Sequence, residues 1–400
     1  MHEKIATRSF GWFSDKIHSA VLAGRIPLDG GIEITYRCNI QCEHCYIPHR
    51  SGRGELTTDE WKGVLDEATE AGALFLLISG GEPFLRPDAL EIFRHAKENG
   101  LLVTIFTNGT MITPEIAEEL HEYPPFSMEV SIYGMSAQSY ETVAKVPKAF
   151  ERVKEGIKLL AGAGVPLSLK TVALTLNRDD LPKMEAFAAE LGLSFRFDAT
   201  VHPRLDGNKA PKSVRLSPEE VVELDRQRPE RLSAMRELQE KFKTPSDPAR
   251  LFQCGAGKTA WHVDPFGQLM LCQSVATFKH DLRTSSFREG WEHYVAGVLA
   301  LADSKRTRCH ECELHALCGQ CPAWSLMENG TLDDPVDYLC DITAARAEAM
   351  GIEARPPRWT AEARSLRSER AARERATAAL VQIHGRQRPA AAALMKEDRA

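Results

Sequence analysis

Residues 31–46 read GIEITYRCNIQCEHCY. The first six, GIEITY, form a β-rich apolar run that ends just before Cys38. Three cysteines follow, Cys38, Cys42 and Cys45, in the spacing C-x3-C-x2-C. Soft-metal sites usually take four protein ligands, and this stretch offers three thiols. On the residues alone two readings stand open. The thiols bind zinc with His44 or His49 as the fourth ligand, or they hold three irons of a [4Fe–4S] cube, one thiolate per iron, and leave the fourth iron open. Zinc ligands usually come in paired knuckles, which this spacing does not supply.

Outward from this stretch, short apolar strands alternate with amphipathic helices. Thr57 with Glu60 three residues on is a capping box that opens a helix near Thr58. ALFLLIS (73–79) is a continuous apolar run of the kind buried on both faces of a parallel sheet. The pattern repeats with helix 86–100, strand LLVTIFT (101–107), a helix from Thr113-Pro114, strand SMEVSIY (127–133), helix 148–164, strand LSLKTVAL (167–174), a helix near 180–191 and strand LSFRFDA (193–199). Six strand–helix pairs imply an α/β fold with a parallel sheet, closed into a barrel or doubly wound. In such folds chemistry collects at the carboxyl ends of the strands. The unusual residues fall there: the cysteines after the first strand, Gly80-Gly81-Glu82-Pro83 after the second, Asn108-Gly109 after the third and Gly134 after the fourth.

Composition narrows the class. The chain has 400 residues, 43% hydrophobic and 26% charged, with a formal net charge of −6. That balance argues against a nucleic-acid partner. No apolar run reaches the ~18 residues of a membrane span, and the N-terminus lacks a signal-peptide core, so the expected location is cytoplasmic, without membrane association. In a reducing compartment ten cysteines point to metal binding rather than disulfides. Three fall at 38–45 and seven between 254 and 340. The expected organisation is an N-terminal extension (1–30), a barrel (31–215), a helical linker (216–250) opened by Ser217-Pro218, a cysteine-rich domain (251–345) and an Ala/Arg-rich tail (346–400), partly helical and partly disordered. From Arg355 onward the tail carries eleven Lys and Arg against five Asp and Glu.

C-x3-C-x2-C at the end of the first strand, followed by GGEP (80–83) at the end of the second, resembles the radical S-adenosylmethionine (SAM) enzymes. The resemblance implies a partial (β/α)6 TIM-like barrel and a [4Fe–4S] cluster on Cys38, Cys42 and Cys45, with SAM chelating the open iron. Reductive cleavage of SAM then gives a 5′-deoxyadenosyl radical that abstracts hydrogen from an unactivated carbon. His44 fills the position before the last cysteine, usually aromatic in the family. Gly80, Gly81, Glu82 and Pro83 resemble the motif that binds the methionine amino group. Asn108 and the SIYG stretch from Ser131 to Gly134 resemble the strand ends that touch the sugar and carboxylate. Lys170 and Asn177 lie where family members often contact SAM.

The seven later cysteines read Cys254, then Gly267 five residues before Cys272, then Cys309-x2-Cys312-x5-Cys318-x2-Cys321, then Cys340. Read alone, they fit a zinc ribbon or knuckle, although seven thiols exceed one four-ligand site. Their order resembles the SPASM extension of many radical SAM barrels, which carries auxiliary Fe–S clusters. A hairpin turn at PFGQ is expected to set Cys272 on the return strand. The last spacing of the central block is x2 where the family more often has x3. The resemblance implies one auxiliary cluster on Cys309, Cys312, Cys318 and Cys340. A second would use Cys254, Cys272 and Cys321, one ligand short, with an open iron, a non-cysteine ligand (His262, Asp264 or His280) or a different nuclearity. His310 and His315 are expected at the surface.

Auxiliary clusters in this family accompany modification of peptides or proteins. The expected function is a maturase that installs a thioether, C–C or related link in a ribosomally made precursor peptide. Its expected partners are a reductant such as flavodoxin or ferredoxin and a separate leader-binding protein, because only about 30 residues precede the first strand. Sulfatase-type maturation is an alternative, weakened because Gln273 stands where that group places an Asp base. Haem or tetrapyrrole maturation is another. A non-catalytic Fe–S electron carrier or metal-binding scaffold has no use for the GGEP turn. No catalytic base is identified. Tyr36, Tyr46 and Tyr133 near strand ends read first as packing residues, and Arg196 as either a carboxylate binder or an ion-pair partner.

Overall fold

A computed structural model describes residues 16, 19–48, 51–242, 247, 249–304, 307–354 and 356. Strands β1 (Asp29–Glu33), β2 (Phe75–Ser79), β3 (Leu102–Thr107), β4 (Ser127–Ser131), β5 (Leu167–Val172) and β6 (Ser194–Asp198) lie side by side in chain order, each parallel to the next. They are the six strands expected from the alternation. Helices α1 (Thr58–Glu70), α2 (Ala89–Glu98) and α3 (Pro114–Glu122) make the first crossovers. Thr57 and Glu60 form the expected capping box, and α1 buries Trp61, Val64, Leu65 and Ala68 on one face. Thr113 caps α3 with Pro114 in its first turn.

Between β4 and β5 the chain makes two helices where one was expected, α4 (Ala137–Ala144) and α5 (Ala149–Gly162). Ser136 caps α4 in a box closed by Ser139, a weaker signature than the usual Glu or Gln. A last crossover, α6 (Leu181–Glu190), leads to β6. The linker is likewise two helices, Pro218–Arg226 and Pro229–Lys241, interrupted before Pro229. The basic tail from 357 onward lies outside the described residues.

The sheet does not end at β1. A hairpin from the cysteine-rich segment, β7 (Ala260–Val263) and β8 (Gln268–Met270), joins it with the two-residue β9 (His280–Asp281), giving the order β6-β5-β4-β3-β2-β1-β7-β8-β9 among the described residues. Gly267 turns the hairpin with φ +77°, and Cys272 lies two residues past the end of β8. β7 runs parallel to β1, with Gly30 opposite Trp261 and Gly31 opposite His262. A Cβ on Gly30 would sit 2.2 Å from the Trp261 ring, and one on Gly31 would sit 2.8 Å from His262 Nδ1. The glycine pair lets two bulky side chains of β7 lie directly against β1. The Trp261 indole donates to the Pro27 carbonyl at 2.9 Å and meets Phe287 edge-on at 4.9 Å.

A second close approach pins the tops of β1 and β2. Gly81 N–H donates to the Thr35 carbonyl at 2.8 Å, and Glu82 N–H donates to that of Arg37 at 2.9 Å. The Arg86 guanidinium reaches the Ile34 carbonyl at 2.9 Å. Gly80 adopts φ +144°, and a Cβ there would lie 2.3 Å from the Thr35 oxygen. A Cβ on Gly81 would lie 2.2 Å from the Arg37 oxygen. The fully buried Glu82 carboxylate accepts from Thr107 Oγ1 at 2.7 Å, Asn108 N–H at 2.8 Å and Phe84 N–H at 3.2 Å. Burial still prevails over these bonds and pushes its pKa up to about 7.

Two outcomes follow from this turn. Gly81→Ala is expected to cost about 3 kcal/mol or more in urea unfolding, because the obstructing atoms are backbone. Gly63→Ala on the open face of α1, with nothing near its would-be Cβ, is expected to be neutral or stabilising by up to about 1 kcal/mol. For Glu82, the unfolded chain ionises above the ordinary value of 4.5 while the fold holds the proton to about 7. Stability from this residue is therefore greatest below the unfolded pKa and falls by about 3 kcal/mol as pH rises through the folded one. The difference in stability between the native protein and Glu82→Gln, measured from about pH 5 to about pH 8, should change by this amount; a constant difference would refute it.

Candidate functional site

The three-cysteine loop starts as the chain leaves β1 and is held from two sides. Gln41 and Glu43 N–H groups donate to the Ala144 and Val143 carbonyls, 2.8 and 3.1 Å, at the end of α4. On the other side Asn39 donates to Thr110 Oγ1 at 2.8 Å. Asn108 Nδ2 donates to Asn39 Oδ1 at 3.0 Å and reaches Cys38 Sγ at 3.8 Å. The Asn108 backbone N–H is the one bound by Glu82. A polar chain thus runs from the GGEP turn through the end of β3 to the first thiol. Hydrogen bonds to thiolate sulfur tune the potential of a bound Fe–S cluster.

His44 is enclosed, and its ring meets Tyr133 edge-on at 5.1 Å. Burial presses its pKa down to about 4, so the imidazole is neutral, and its buried Nδ1 has no hydrogen-bond partner. His49 lies outside the described residues. Tyr133 and Tyr140 are themselves buried, and burial together with the nearby Cys42 sulfur keeps both phenols protonated.

Farther round the sheet, Ser131 stands in register with Lys170, and Lys170 with Arg196. Lys170 Nζ lies 3.2 Å from Glu129 Oε2 and 2.8 Å from the centre of the Phe106 ring. Its burial, only partly offset by Glu129, brings the ammonium pKa down to about 7. Arg196 also pairs with Glu129, through Nε at 3.0 Å, so the ion-pair alternative describes this arginine. Asn177 closes the turn after β5: its Oδ1 accepts Leu174 N–H at 2.8 Å, and its Nδ2 donates to the Val172 carbonyl at 3.1 Å.

One polar network was not singled out from the sequence. Glu33 on β1 is fully buried. Its carboxylate accepts from the Tyr46 hydroxyl at 2.7 Å and from Gln273 Nε2 at 2.8 Å, and it faces His262 Nε2 at 3.2 Å. Gln273 Nε2 also lies 2.6 Å from the Tyr46 oxygen. Burial raises the Glu33 pKa, but the bonds from His262, Tyr46 and Gln273 outweigh it and hold the group below the ordinary carboxylate range. Tyr46 follows Cys45 and Gln273 follows Cys272, so this network joins the two cysteine regions. An acidic residue inside the apolar run after a Gly-Gly pair was the available signal.

The later cysteines gather as two groups. Cys309, Cys312, Cys318 and Cys340 line one cavity with His315 and Thr343. Cys254 and Cys321 line a neighbouring cavity of about 280 Å³. The Cys272 thiol lies close enough to both for their charges to raise its pKa. Burial, and then the neighbouring sulfurs, push Cys272 up to about 12 and Cys309 up to about 11. None of the ten cysteines is in a disulfide. Crowded, buried thiols of this kind suit a cationic centre that binds them as thiolates. Among the described residues no three His, Cys, Asp or Glu side chains converge on a single metal ion. An Fe–S cube, with one thiolate per iron, does not require that convergence.

Comparison with known proteins places this geometry. The radical SAM superfamily profile matches residues 32–188. The AdoMet-dependent heme synthase of Methanosarcina barkeri is 31% identical over 77% of this chain and 93% of its own length. The PqqA peptide cyclase of Rhizobium meliloti is 27% identical over 76% of this chain and 85% of its own. The crystal structure of Streptococcus suis SuiB bound to precursor peptide SuiA superposes with a TM-score of 0.64 at 18% identity, over 85% of this chain and 83% of that one; at that identity the likeness is one of fold. No helix among the described residues is long and apolar enough to cross a membrane. With three thiols at the exit of its first strand and a relative matched over nearly its whole length, the chain is an enzyme of the radical SAM superfamily.

Proposed function

We propose that this enzyme is a maturase that modifies a ribosomally made peptide at an unactivated C–H bond. In this reading Cys38, Cys42 and Cys45 hold a [4Fe–4S] cluster. The GGEP turn, Gly80 to Pro83, with Asn108, Ser131 and Lys170, would hold SAM. The bound cluster and SAM supply a 5′-deoxyadenosyl radical. Cys309, Cys312, Cys318 and Cys340 hold one auxiliary cluster, and Cys254, Cys272 and Cys321 hold another. The chain's own residues orient the substrate and exclude water, while Glu33, Tyr46 and Gln273 form a fixed polar wall between the two cysteine regions.

The observation that carries the reading is the gathering of the seven later thiols: Cys309, Cys312, Cys318 and Cys340 line one cavity, Cys254 and Cys321 line the next beside Cys309 and Cys318, and Cys272 lies near Cys254 and Cys321. Electron acceptors beside the site suit a reaction in which a substrate radical is oxidised to form a new bond. The PqqA cyclase relative and the peptide-bound SuiB fold support a peptide substrate. A second reading, maturation of a haem-type tetrapyrrole, is favoured by the heme synthase matched over 93% of its length. A flavodoxin or ferredoxin reductant and a separate leader-binding protein belong to the peptide reading.

Anaerobic reconstitution with iron and sulfide, followed by dithionite and SAM, is expected to give 5′-deoxyadenosine and about twelve irons per chain. Cys42→Ala should abolish 5′-deoxyadenosine and retain about eight irons. Zinc in place of iron, or a total near four, would remove the auxiliary clusters from the account. Incubation with a peptide encoded beside the gene, and separately with an iron tetrapyrrole bearing propionates, decides the substrate. Loss of two hydrogens from the peptide supports a maturase, whereas a mass loss confined to the tetrapyrrole supports the second reading.

A further inference from the structure

The thiol group Cys254, Cys272 and Cys321 is one ligand short of a four-iron cluster, whereas the group with Cys340 has four. The three non-cysteine candidates named from the sequence are engaged elsewhere. His262 Nε2 faces Glu33 at 3.2 Å. Asp264 accepts from Phe266 and Gln268 N–H groups at 3.0 and 3.1 Å and pairs with Lys279 at 2.8 Å. The His280 ring nitrogen bonds Ser285, and the ring stacks against Tyr294 at 5.2 Å.

His310 is placed differently from expectation. It lines the 280 Å³ cavity with Cys254 and Cys321 of the incomplete group, beside Cys309 and Cys318, whose own group already has four thiols. Its Nε2 is buried from solvent and has no hydrogen-bond partner. A buried imidazole nitrogen without a partner bears the full desolvation cost of a polar atom. A bound iron removes that cost, since a neutral imidazole nitrogen is a common ligand and replaces cysteine in some Fe–S centres. The residue is held in a 3-10 turn, Arg308–Glu311, capped by the Thr307 hydroxyl on Cys309 N–H at 3.2 Å. It is thereby fixed next to Cys309 at the wall of a cavity lined by thiols of both groups.

We propose that His310 Nε2 is the fourth protein ligand of the cluster on Cys254, Cys272 and Cys321, giving it three thiolates and one imidazole. This rests on the reading that those cysteines hold an Fe–S cluster. Replacing one thiolate by a neutral ligand makes that cluster less negative and raises its potential above that of the all-cysteine cluster beside it.

The test uses the full chain with Cys38, Cys42 and Cys45 changed to Ala, which silences the barrel cluster, reconstituted with iron and sulfide and reduced. Pulsed EPR should detect a nitrogen strongly coupled to the cluster spin, which changes to the nitrogen-15 pattern when histidine is isotopically labelled. His310→Ala should abolish the coupling, and His315→Ala should leave it intact. His310→Cys should keep the iron, lack the nitrogen and shift one midpoint potential downward. Coupling that persists in His310→Ala, or none in the parent while Cys254→Ala and Cys321→Ala still lose iron, overturns the His310 assignment alone. If Cys254→Ala and Cys321→Ala lose no iron, the cluster assignment fails and this inference fails with it.

Discussion

The contact that sets the rim of the barrel is between peptide groups. At the exit of β1 and β2, the Gly80–Glu82 backbone lies against the carbonyls of Thr35 and Arg37 so tightly that neither glycine can carry a side chain. This contact fixes how far the cysteine loop stands from the top of β2, and it directs Glu82 inward onto the end of β3. Asn108, held there, faces Cys38. Three strand ends therefore take their spacing from two hydrogen bonds and two missing methyl groups. In the proposed function this rim would receive a flexible, charged cofactor, and its rigidity is pre-organisation for that.

The other organising contact is electrostatic. Glu33, buried on β1, is satisfied by Tyr46 from the cysteine loop and by Gln273 from beyond the hairpin. Each partner is adjacent in sequence to a thiol. A buried carboxylate with its donors in place is rigid, and one robbed of a donor is costly. The network therefore ties the two cysteine regions together mechanically as well as spatially. Gln273, which lacks the basicity of an Asp, acts here as a donor to Glu33.

Much of this was legible in the chain. The six strands were readable because apolar runs of period two and helices of period 3.6 are local signals, and Thr57, Thr113 and Ser217 announce their helices by capping chemistry. The division of the later thiols came from the resemblance rather than from spacing, since Cys254, Cys272, Cys321 and Cys340 are far apart in the chain; four of them, Cys309, Cys312, Cys318 and Cys340, line one cavity. What was not legible depends on distant pairing. Nothing near residue 260 states that β7 will lie against β1, although Gly30-Gly31 records the space required. His310 looked superficial by position between two cysteines, while His262 looked available. In the fold His262 is bonded to Glu33, 229 residues away, while His310 Nε2 is buried without a partner.

The placement of β7 also bears on how the molecule is assembled. β1 is synthesised early, yet one of its two edges remains unpaired until β7 arrives some 230 residues later. An unpaired parallel edge flanked by apolar strands is an aggregation hazard, and contacts of such long sequence separation form slowly. Until the hairpin docks, Glu33 also lacks His262 and Gln273. The cysteine-rich segment thus serves the barrel as an edge cap, and a chain cut before it would leave β1 exposed with an under-satisfied charge at its centre.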